Sequence, residues 1–138
     1  MGLLLSIALV LAGACGAGVE AGGEEERLLA LVNGTRAEHG LPPLARDETL
    51  DRFARVNSRR MQREERMRHS DPVSFRPLGL RAWAENVAFG PDVERLHRRM
   101  LDSPRHRENV LGPYTLVGIA VERGTDGQRY VTEAFGRR

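Results

Sequence analysis

The segment WAENVAFG, residues 83–90, has the pattern of a single β-strand and decides how the rest of the chain is arranged around it. Successive side chains of a strand point to opposite faces, so the odd-numbered ones share a face. These are Trp83, Glu85, Val87 and Phe89. Three of them are apolar, which predicts that this face packs into the core. Because an unpaired buried carboxylate costs several kcal/mol or takes up a proton, Glu85 is expected to have polar partners from elsewhere in the chain.

Two helices are predicted upstream of this strand. In the first, apolar or small side chains recur at helical spacing, and Gly40 ends the helix: Leu28, Leu31, Val32 and Thr35. In the second, Asp47 is the predicted N-terminal cap. The core-facing stripe of the second helix contains Leu50, Phe53, Ala54, Asn57 and Met61. The opposite face of this helix carries five arginines: Arg52, Arg55, Arg59, Arg60 and Arg63. They are expected to be solvated, with a ligand-binding patch as the alternative.

Downstream of the strand, a third helix is predicted from Pro91. The segment SPRHRENVLG predicts a short fourth helix with Ser103 as its cap and Pro104 at its first position. The last two strands, TLVGIAVE and RYVTEAF, are joined by GTDGQ, whose Asp-Gly pair indicates a hairpin. This order of helices, strand, helices and hairpin is typical of an α+β layered domain.

The N-terminal segment predicts export. Residues 1–18 carry no charged side chain, and their apolar run is too short to cross a bilayer comfortably, so residues 1–15 are interpreted as a signal peptide; a buried core helix is the alternative. LAGAC, ending at Cys15, resembles the lipobox of bacterial lipoproteins, which makes Cys15 a candidate lipidation site. Ordinary cleavage after a small residue is the alternative. Residues 16–23 are predicted to be a Gly-rich flexible linker, and residues 24–138 the domain.

Composition and charge narrow the class of protein. With 138 residues, 41% hydrophobic and 29% charged, the chain is expected to form a single globular domain rather than a disordered or membrane-embedded one. Cys15 is its single cysteine, so no disulfide is expected in the folded part. All 21 basic residues are arginine, which would attract anionic envelope polymers, lipid headgroups or nucleic acid. Nucleic acid is the least favoured, because the chain is predicted to be exported and lacks a basic motif interleaved with aromatic residues.

Six motifs, in order and spacing, are similar to the bacterial branch of the CAP superfamily, which comprises the cysteine-rich secretory, antigen-5 and pathogenesis-related proteins. They are LVNGTRAEHGLPPLARDETLDRFAR, HS at residues 69–70, AEN at 84–86, SPRHRENVL at 103–111, VGIAVE and YVTEAFG. The resemblance covers nearly all of residues 24–138. It implies a three-layer α-β-α sandwich around a small antiparallel sheet, with a surface cleft lined by two His and two Glu.

Three members of that cleft carry over by motif: His69, Glu85 and His106. The fourth does not, because Arg98 stands where relatives often have an acid. Glu94, one helical turn earlier, is a candidate substitute. The chain also departs from the family pattern in having Ala84 for Gly and Glu133 for Gln.

The resemblance implies that Glu85 accepts hydrogen bonds from the His69 and His106 imidazoles across the cleft, which would offset the cost of its burial. His106 lies near a helix N-terminus, whose dipole favours a neutral imidazole and hence a metal ligand. His69 and His106 are therefore candidate ligands for Zn²⁺ or another divalent cation, with Glu85 as a third ligand or a general base. The alternative is a polar network that stabilises a groove without metal.

The other polar residues of note are expected to have structural rather than chemical roles. His39 is expected at an exposed helix end and His97 at an exposed helix position. Asn86 is expected to hydrogen-bond to backbone, and Ser103 to cap a helix. Ser70 is not expected to be a nucleophile, because no oxyanion-hole motif accompanies it.

The function that these observations favour is an exported, extracytoplasmic binding module whose ligand is a lipid or a cell-envelope component, with membrane contact only through an anchor at Cys15. One alternative is a metal-dependent hydrolase acting on envelope polymer or peptide, with Glu85 as general base. The other is a protein-interaction domain in which the His-Glu cluster serves only the fold.

Overall fold

The computed structural model describes residues 16–138, with side-chain surroundings given from residue 23 onward. Its elements are α1 (Gly16–Glu38), β1 (Ala45–Arg46), α2 (Glu48–Glu64), a 3-10 segment (Pro72–Leu78), β2 (Ala82–Gly90), α3 (Val93–Asp102), α4 (Pro104–Val110), β3 (Leu116–Arg123) and β4 (Arg129–Arg137). No helix within this part of the chain is long and apolar enough to span a bilayer. The predicted signal peptide and Cys15 lie outside the described residues.

The four strands form one sheet in the order β1-β3-β4-β2. Strands β3 and β4 form the predicted hairpin, and β2 pairs antiparallel with β4, with Glu85 opposite Ala134. The unpredicted β1 is only two residues long and runs parallel to β3. The long strand β2 is therefore at one edge of the sheet.

Helices cover both faces of the sheet. On one face, Val117, Ile119 and Val121 of β3 pack in a core cluster with residues of α1, α3 and α4. On the other face, Ala120 and Ala134 pack against α2 and the 3-10 segment. The predicted α-β-α sandwich is confirmed.

Helix α2 lies unusually close to the sheet. A Cβ atom placed on Gly118 of β3 would lie 2.0 Å from the carbonyl carbon of Leu50, so only glycine fits there. The predicted cap of this helix is confirmed, because the Leu50 N–H donates to Asp47 Oδ1 at 2.9 Å. This close packing fixes α2, and with it the loop that follows α2 beside β2.

The segment predicted as a flexible linker, residues 16–23, belongs to helix α1 in the structure. The residues that follow it are anchored: Glu24 pairs with Arg129 at 2.8 Å, and the buried Glu25 pairs with Arg46 at 2.8 Å and with Arg55 at 3.1 Å. Once a helix is nucleated, each added residue costs little, so α1 continues back from this anchor to Gly16.

The predicted strand at residues 83–90 is confirmed, but its two terminal aromatic side chains are not in the core as expected. Trp83 is 40% exposed and Phe89 is 44% exposed, while Glu85 between them is only 8% exposed. The reason is that β2 is an edge strand, so only its centre is covered from both sides. Trp83 instead stacks on Phe75 of the 3-10 segment, with 4.0 Å between ring centroids.

Candidate functional site

The candidate site lies where the loop after α2, strand β2 and helix α4 meet. Glu85 is at the centre of β2, on the sheet face covered by α2. His69 and Ser70 lie in the loop between α2 and the 3-10 segment. His106 is on α4, which covers the opposite face. Because β2 is at the sheet edge, side chains from both faces come together around this strand.

The Glu85 carboxylate is buried and accepts three hydrogen bonds. Its Oε1 is 3.0 Å from His69 Nδ1 and accepts the Ser70 backbone N–H at 2.8 Å. Its Oε2 accepts the Ser70 hydroxyl at 2.6 Å. The Glu85 side chain is 4% exposed, whereas the His69 side chain is 60% exposed. These charge-assisted bonds supply the polar partners that a buried carboxylate needs.

Ser70, and not His106 as expected, is the second residue that hydrogen-bonds to the Glu85 carboxylate. None of the described hydrogen bonds joins His106 to Glu85, so the expectation of two imidazoles on this carboxylate is wrong. The physical reason is that α4 lies on the other face of the sheet. The adjacency of Ser70 to His69 was a usable signal, because one loop delivers both side chains and a backbone N–H to the same point.

His106 nevertheless lies close to this cluster. Its pKa is lowered by burial first, and then by the charges of His69 and Arg105. The imidazole is therefore neutral at pH 7, as the sequence analysis expected from the helix N-terminus alone. His69 and His106 flank β2 from its two faces.

A second polar network holds α4 against β2. Asn86 Nδ2 donates to the carbonyl oxygen of His106 at 3.1 Å and to Glu133 Oε2 at 3.0 Å. Asn109 Nδ2 donates to Asn86 Oδ1 at 2.8 Å. Glu133 is fully buried, and burial raises the pKa of its carboxyl to about 7, against the opposing effect of the Asn86 hydrogen bond. Asn86 thus links a buried carboxyl to the backbone of the helix that carries His106.

Ser103 is at the N-cap position of α4, but its side chain makes no capping hydrogen bond. Its carbonyl oxygen accepts the Arg107 N–H at 2.9 Å, and Pro104 follows at the first helical position. The residue therefore begins the helix through its backbone rather than through the hydroxyl group that the sequence analysis invoked.

Two polar residues of helix α3 have partners that the sequence did not reveal, and for His97 the expected exposure is wrong. Glu94, the candidate fourth member of the cleft, pairs with Arg27 Nε at 2.9 Å, and this bond lowers the pKa of its carboxyl. His97, expected to be exposed, is 4% exposed, and its Nε2 lies 2.9 Å from Thr35 Oγ1. Burial lowers the pKa of His97. His97 lies on the face of α3 that packs against the core. Its polar side chain gives no sign of this burial in the sequence.

The donor set does not fit the expected metal site. Residues 16–138 contain no group of three or more His, Cys, Asp or Glu side chains placed to hold a metal ion. Both Glu85 oxygens accept hydrogen bonds from the loop, and Glu94 is paired with Arg27. His69 and His106 would be left without a third protein ligand, so no chemical step is assigned to a metal here.

A groove of about 220 Å³ lies beside His106, between β2 and α3. It is lined by Met67, Val87, Ala88, Phe89, Leu96, Arg99, Met100, Ser103 and His106. Six of these nine side chains are apolar, and the cationic side chain of Arg99 lies on the wall. We call this the β2–α3 groove. A more polar depression adjoins it, lined by residues that include Arg66, Met67 and His69.

Comparison with known proteins gives the family. A family model for the cysteine-rich secretory protein (CAP) family matches residues 29–135. The protein YkwD of Bacillus subtilis is 31% identical over 112 residues, which is 73% of this chain and 44% of YkwD. The chain thus spans less than half the length of this curated relative.

Two solved structures have the same fold. An extracellular protein containing an SCP domain from Bacillus anthracis is 25% identical with a TM-score of 0.74, over 86% of this chain and 41% of that one. An outer surface protein of Borrelia burgdorferi is 20% identical with a TM-score of 0.77, over 84% and 93% of the two chains. On the family match and these folds, the chain belongs to the cysteine-rich secretory protein family, as a CAP domain.

Proposed function

We propose that this CAP domain works outside the cytoplasm as a binding module whose cleft, formed by His69, Glu85 and His106, holds a cell-envelope component or a lipid. The observation that carries the proposal is the state of Glu85: its carboxylate is buried and its two oxygens accept three hydrogen bonds. Such a carboxylate holds the loop at residues 69–70 against β2. A structural role for Glu85, as part of a rigid cleft wall, is therefore better supported than a role as a general base that takes a proton from water.

The charges around the cleft indicate an anionic ligand. None of the ion pairs described for residues 23–138 involves Arg66, Arg99 or Arg105. Uncompensated guanidinium groups raise the local positive potential and attract negatively charged partners. The solved SCP-domain protein of Bacillus anthracis is an extracellular protein, which supports a location of this domain outside the cytoplasm.

Binding to envelope material tests the proposal. The full chain is mixed with phosphatidylglycerol vesicles and, separately, with a purified cell-envelope fraction, and bound protein is measured after sedimentation. His69→Ala and His106→Ala should each weaken binding. His39→Ala, which removes an exposed imidazole at the end of α1, should leave it unchanged. Absence of binding to both materials would refute the proposal.

The protein-interaction alternative retains one supporting observation: a Ser70 backbone N–H is among the partners of Glu85, as in a purely structural link. On this alternative, His69→Ala should lower the thermal stability and leave binding to both materials as it was. The hydrolase alternative has no comparable support. It predicts turnover that Glu85→Gln abolishes, measured on the same envelope fraction.

A further inference from the structure

We propose that the β2–α3 groove binds an extended acidic peptide segment that pairs with the free edge of β2. The inference rests on the proposed binding function and names the chemistry of one ligand region next to His106. It depends on three features of the groove: an unpaired strand edge, apolar walls on both sides of that edge, and uncompensated positive charge.

The unpaired edge follows from the sheet order. Among the described strands, only β4 pairs with β2, so the opposite side of β2 is free. Every second residue of an edge strand directs its N–H and C=O groups outward, where they can pair with another extended chain. At the centre of β2 these groups are partly covered, because Asn109 Nδ2 donates to the Glu85 carbonyl oxygen at 3.4 Å. Between Val87 and Gly90 the described residues supply no such cover.

Apolar side chains wall this uncovered part of β2. On the helix side, the groove is lined by Leu96 and Met100 of α3, both buried. On the other side are Met67 and Phe89, which are 49% and 44% exposed. A strand added to the edge would direct alternate side chains to these two walls.

The size of the groove favours a peptide over a whole small molecule. Its volume is about 220 Å³. Typical small-molecule sites have roughly 300–1,000 Å³ and bury most of the ligand. A pocket below that range suits one anchoring side chain of an extended segment whose backbone runs along β2.

The positive charges around the groove favour an acidic segment as the ligand. They disfavour a second copy of this chain as the ligand. Arg99 lines the groove, Arg105 is close enough to lower the pKa of His106, and Arg66 lies next to Met67 in sequence. Glu85, the acid on the same strand, is already bonded to His69 and Ser70. Two copies meeting edge to edge would bring these arginines against each other, whereas a segment carrying carboxylates would be attracted.

A designed peptide tests the proposal on the full chain. The probe is a fluorescent peptide of alternating Val and Glu, about eight residues long, matching a strand of ordinary length. Its controls are the same peptide with Lys in place of Glu and the same peptide N-methylated at alternate amides, which cannot pair with a strand edge. We expect saturable binding of the acidic peptide, and binding at least about tenfold weaker for both controls.

Charge reversal on α3 provides the matched pair of variants. Arg99→Glu should weaken binding about tenfold, since it replaces an attraction by a repulsion. Arg98→Glu changes the neighbouring exposed arginine, which does not line the groove, and should leave the affinity unchanged. Circular dichroism checks that both variants are folded.

Three results would overturn the proposal. They are equal binding of the N-methylated peptide, equal effects of Arg98→Glu and Arg99→Glu, and a dimer that forms through β2 and excludes the peptide. If the peptide fails while phosphatidylglycerol vesicles or the envelope fraction still bind in a His69-dependent way, the peptide inference falls and the proposed function stands. Loss of all binding would remove both.

Discussion

The Glu85 carboxylate and Ser70 form the shortest contact of the candidate site, 2.6 Å between Oε2 and the hydroxyl oxygen. Hydrogen bonds to a charged acceptor are worth more than neutral ones, and a buried acceptor that loses a donor is costly. Ser70→Ala removes this donor and keeps the backbone N–H. We expect the free energy of unfolding to fall by about 1.5–3 kcal/mol in urea denaturation.

The control for that change is Ser74→Ala, whose hydroxyl donates to the exposed Asp71 carbonyl. It should alter the free energy of unfolding by no more than about 0.5 kcal/mol. Equal losses for the two variants would mean that the Ser70 hydroxyl contributes nothing specific to holding the loop at residues 69–70 against β2.

A single buried carboxyl makes stability depend on pH. Glu133 has a folded-state pKa of about 7 against an ordinary value of 4.5, so the native protein retains a proton that the unfolded chain has lost. Unfolding free energy therefore falls as pH rises from 4.5 to about 7, by up to about 3 kcal/mol. Glu133→Gln should abolish this slope and stabilise the protein at pH 8, as measured by urea denaturation across the pH range.

Glu108→Gln, an exposed change on α4, should leave that slope intact. A slope that persists in Glu133→Gln would assign the pH dependence to another group.

At the scale of elements, the contact between α2 and β3 depends on one missing methyl group. A Cβ on Gly118 would lie 2.0 Å from Leu50 backbone, so Gly118→Ala must displace α2 or the sheet. Overpacking of this kind costs about 1–3 kcal/mol or more, and here it involves backbone that cannot rotate away. We expect a loss at the upper end of that range or above, together with weaker binding, because α2 positions the loop that carries His69.

Gly34→Ala is the matched control on α1. Nothing lies within 4 Å of a Cβ at Gly34, which is helical, so this change should stabilise the protein by up to about 1 kcal/mol. Thermal unfolding of the two variants checks both signs. A neutral Gly118→Ala would mean that α2 is less tightly fixed than the structure indicates.

Elements were the most predictable part of this fold, because each has its own local signal. Asp47 marked the start of α2, and the Asp-Gly pair marked the hairpin. The parallel strand β1 has no such signal, since two residues carry no periodicity. The burial of His97 and the exposure of Trp83 were missed for a related reason: both depend on which neighbours cover a face, and a sequence pattern does not contain that information.

The sequence predicted which residues lie at the candidate site better than it predicted which of them hydrogen-bond to each other. His69 and Glu85 meet as their motif positions imply, but Ser70 rather than His106 supplies the other hydrogen bonds to Glu85. Which residue reaches a carboxylate depends on the sheet face from which its element approaches. That is a property of the assembled layers, and the sequence spacing between Glu85 and His106 does not reveal it.

At the scale of the whole molecule, the buried side chains of Glu133 and His97 change the free energy of unfolding in opposite directions as pH rises. The folded-state pKa of His97 lies below its ordinary 6.5, so the unfolded chain binds a proton before the native protein does. Stability from this group is present above pH 6.5 and is lost as pH falls toward the lowered pKa. Glu38 is the charged group that acts on His97, in the opposite direction to burial.

His97→Gln should make the protein more tolerant of acid, because the amide can still bond to Thr35 but does not titrate. The expected result is a smaller loss of unfolding free energy below pH 6.5, where the wild-type His97 begins to be penalised. His39→Gln, at an exposed position, should reproduce the wild-type profile. If His97→Gln loses stability on acidification as steeply as the wild type, His97 does not control this limb of the profile.

The stacking of Trp83 on Phe75 gives the protein its own optical reporter. Trp83 is the sole tryptophan of the chain, and it is half in solvent while lying flat against the segment that follows Ser70. Any event that lifts that segment from the sheet separates the two rings and changes the indole emission. A ligand seated at the far end of β2, near Phe89, would leave the emission unaltered, so intrinsic fluorescence distinguishes opening of the loop from occupation of the groove without an added dye.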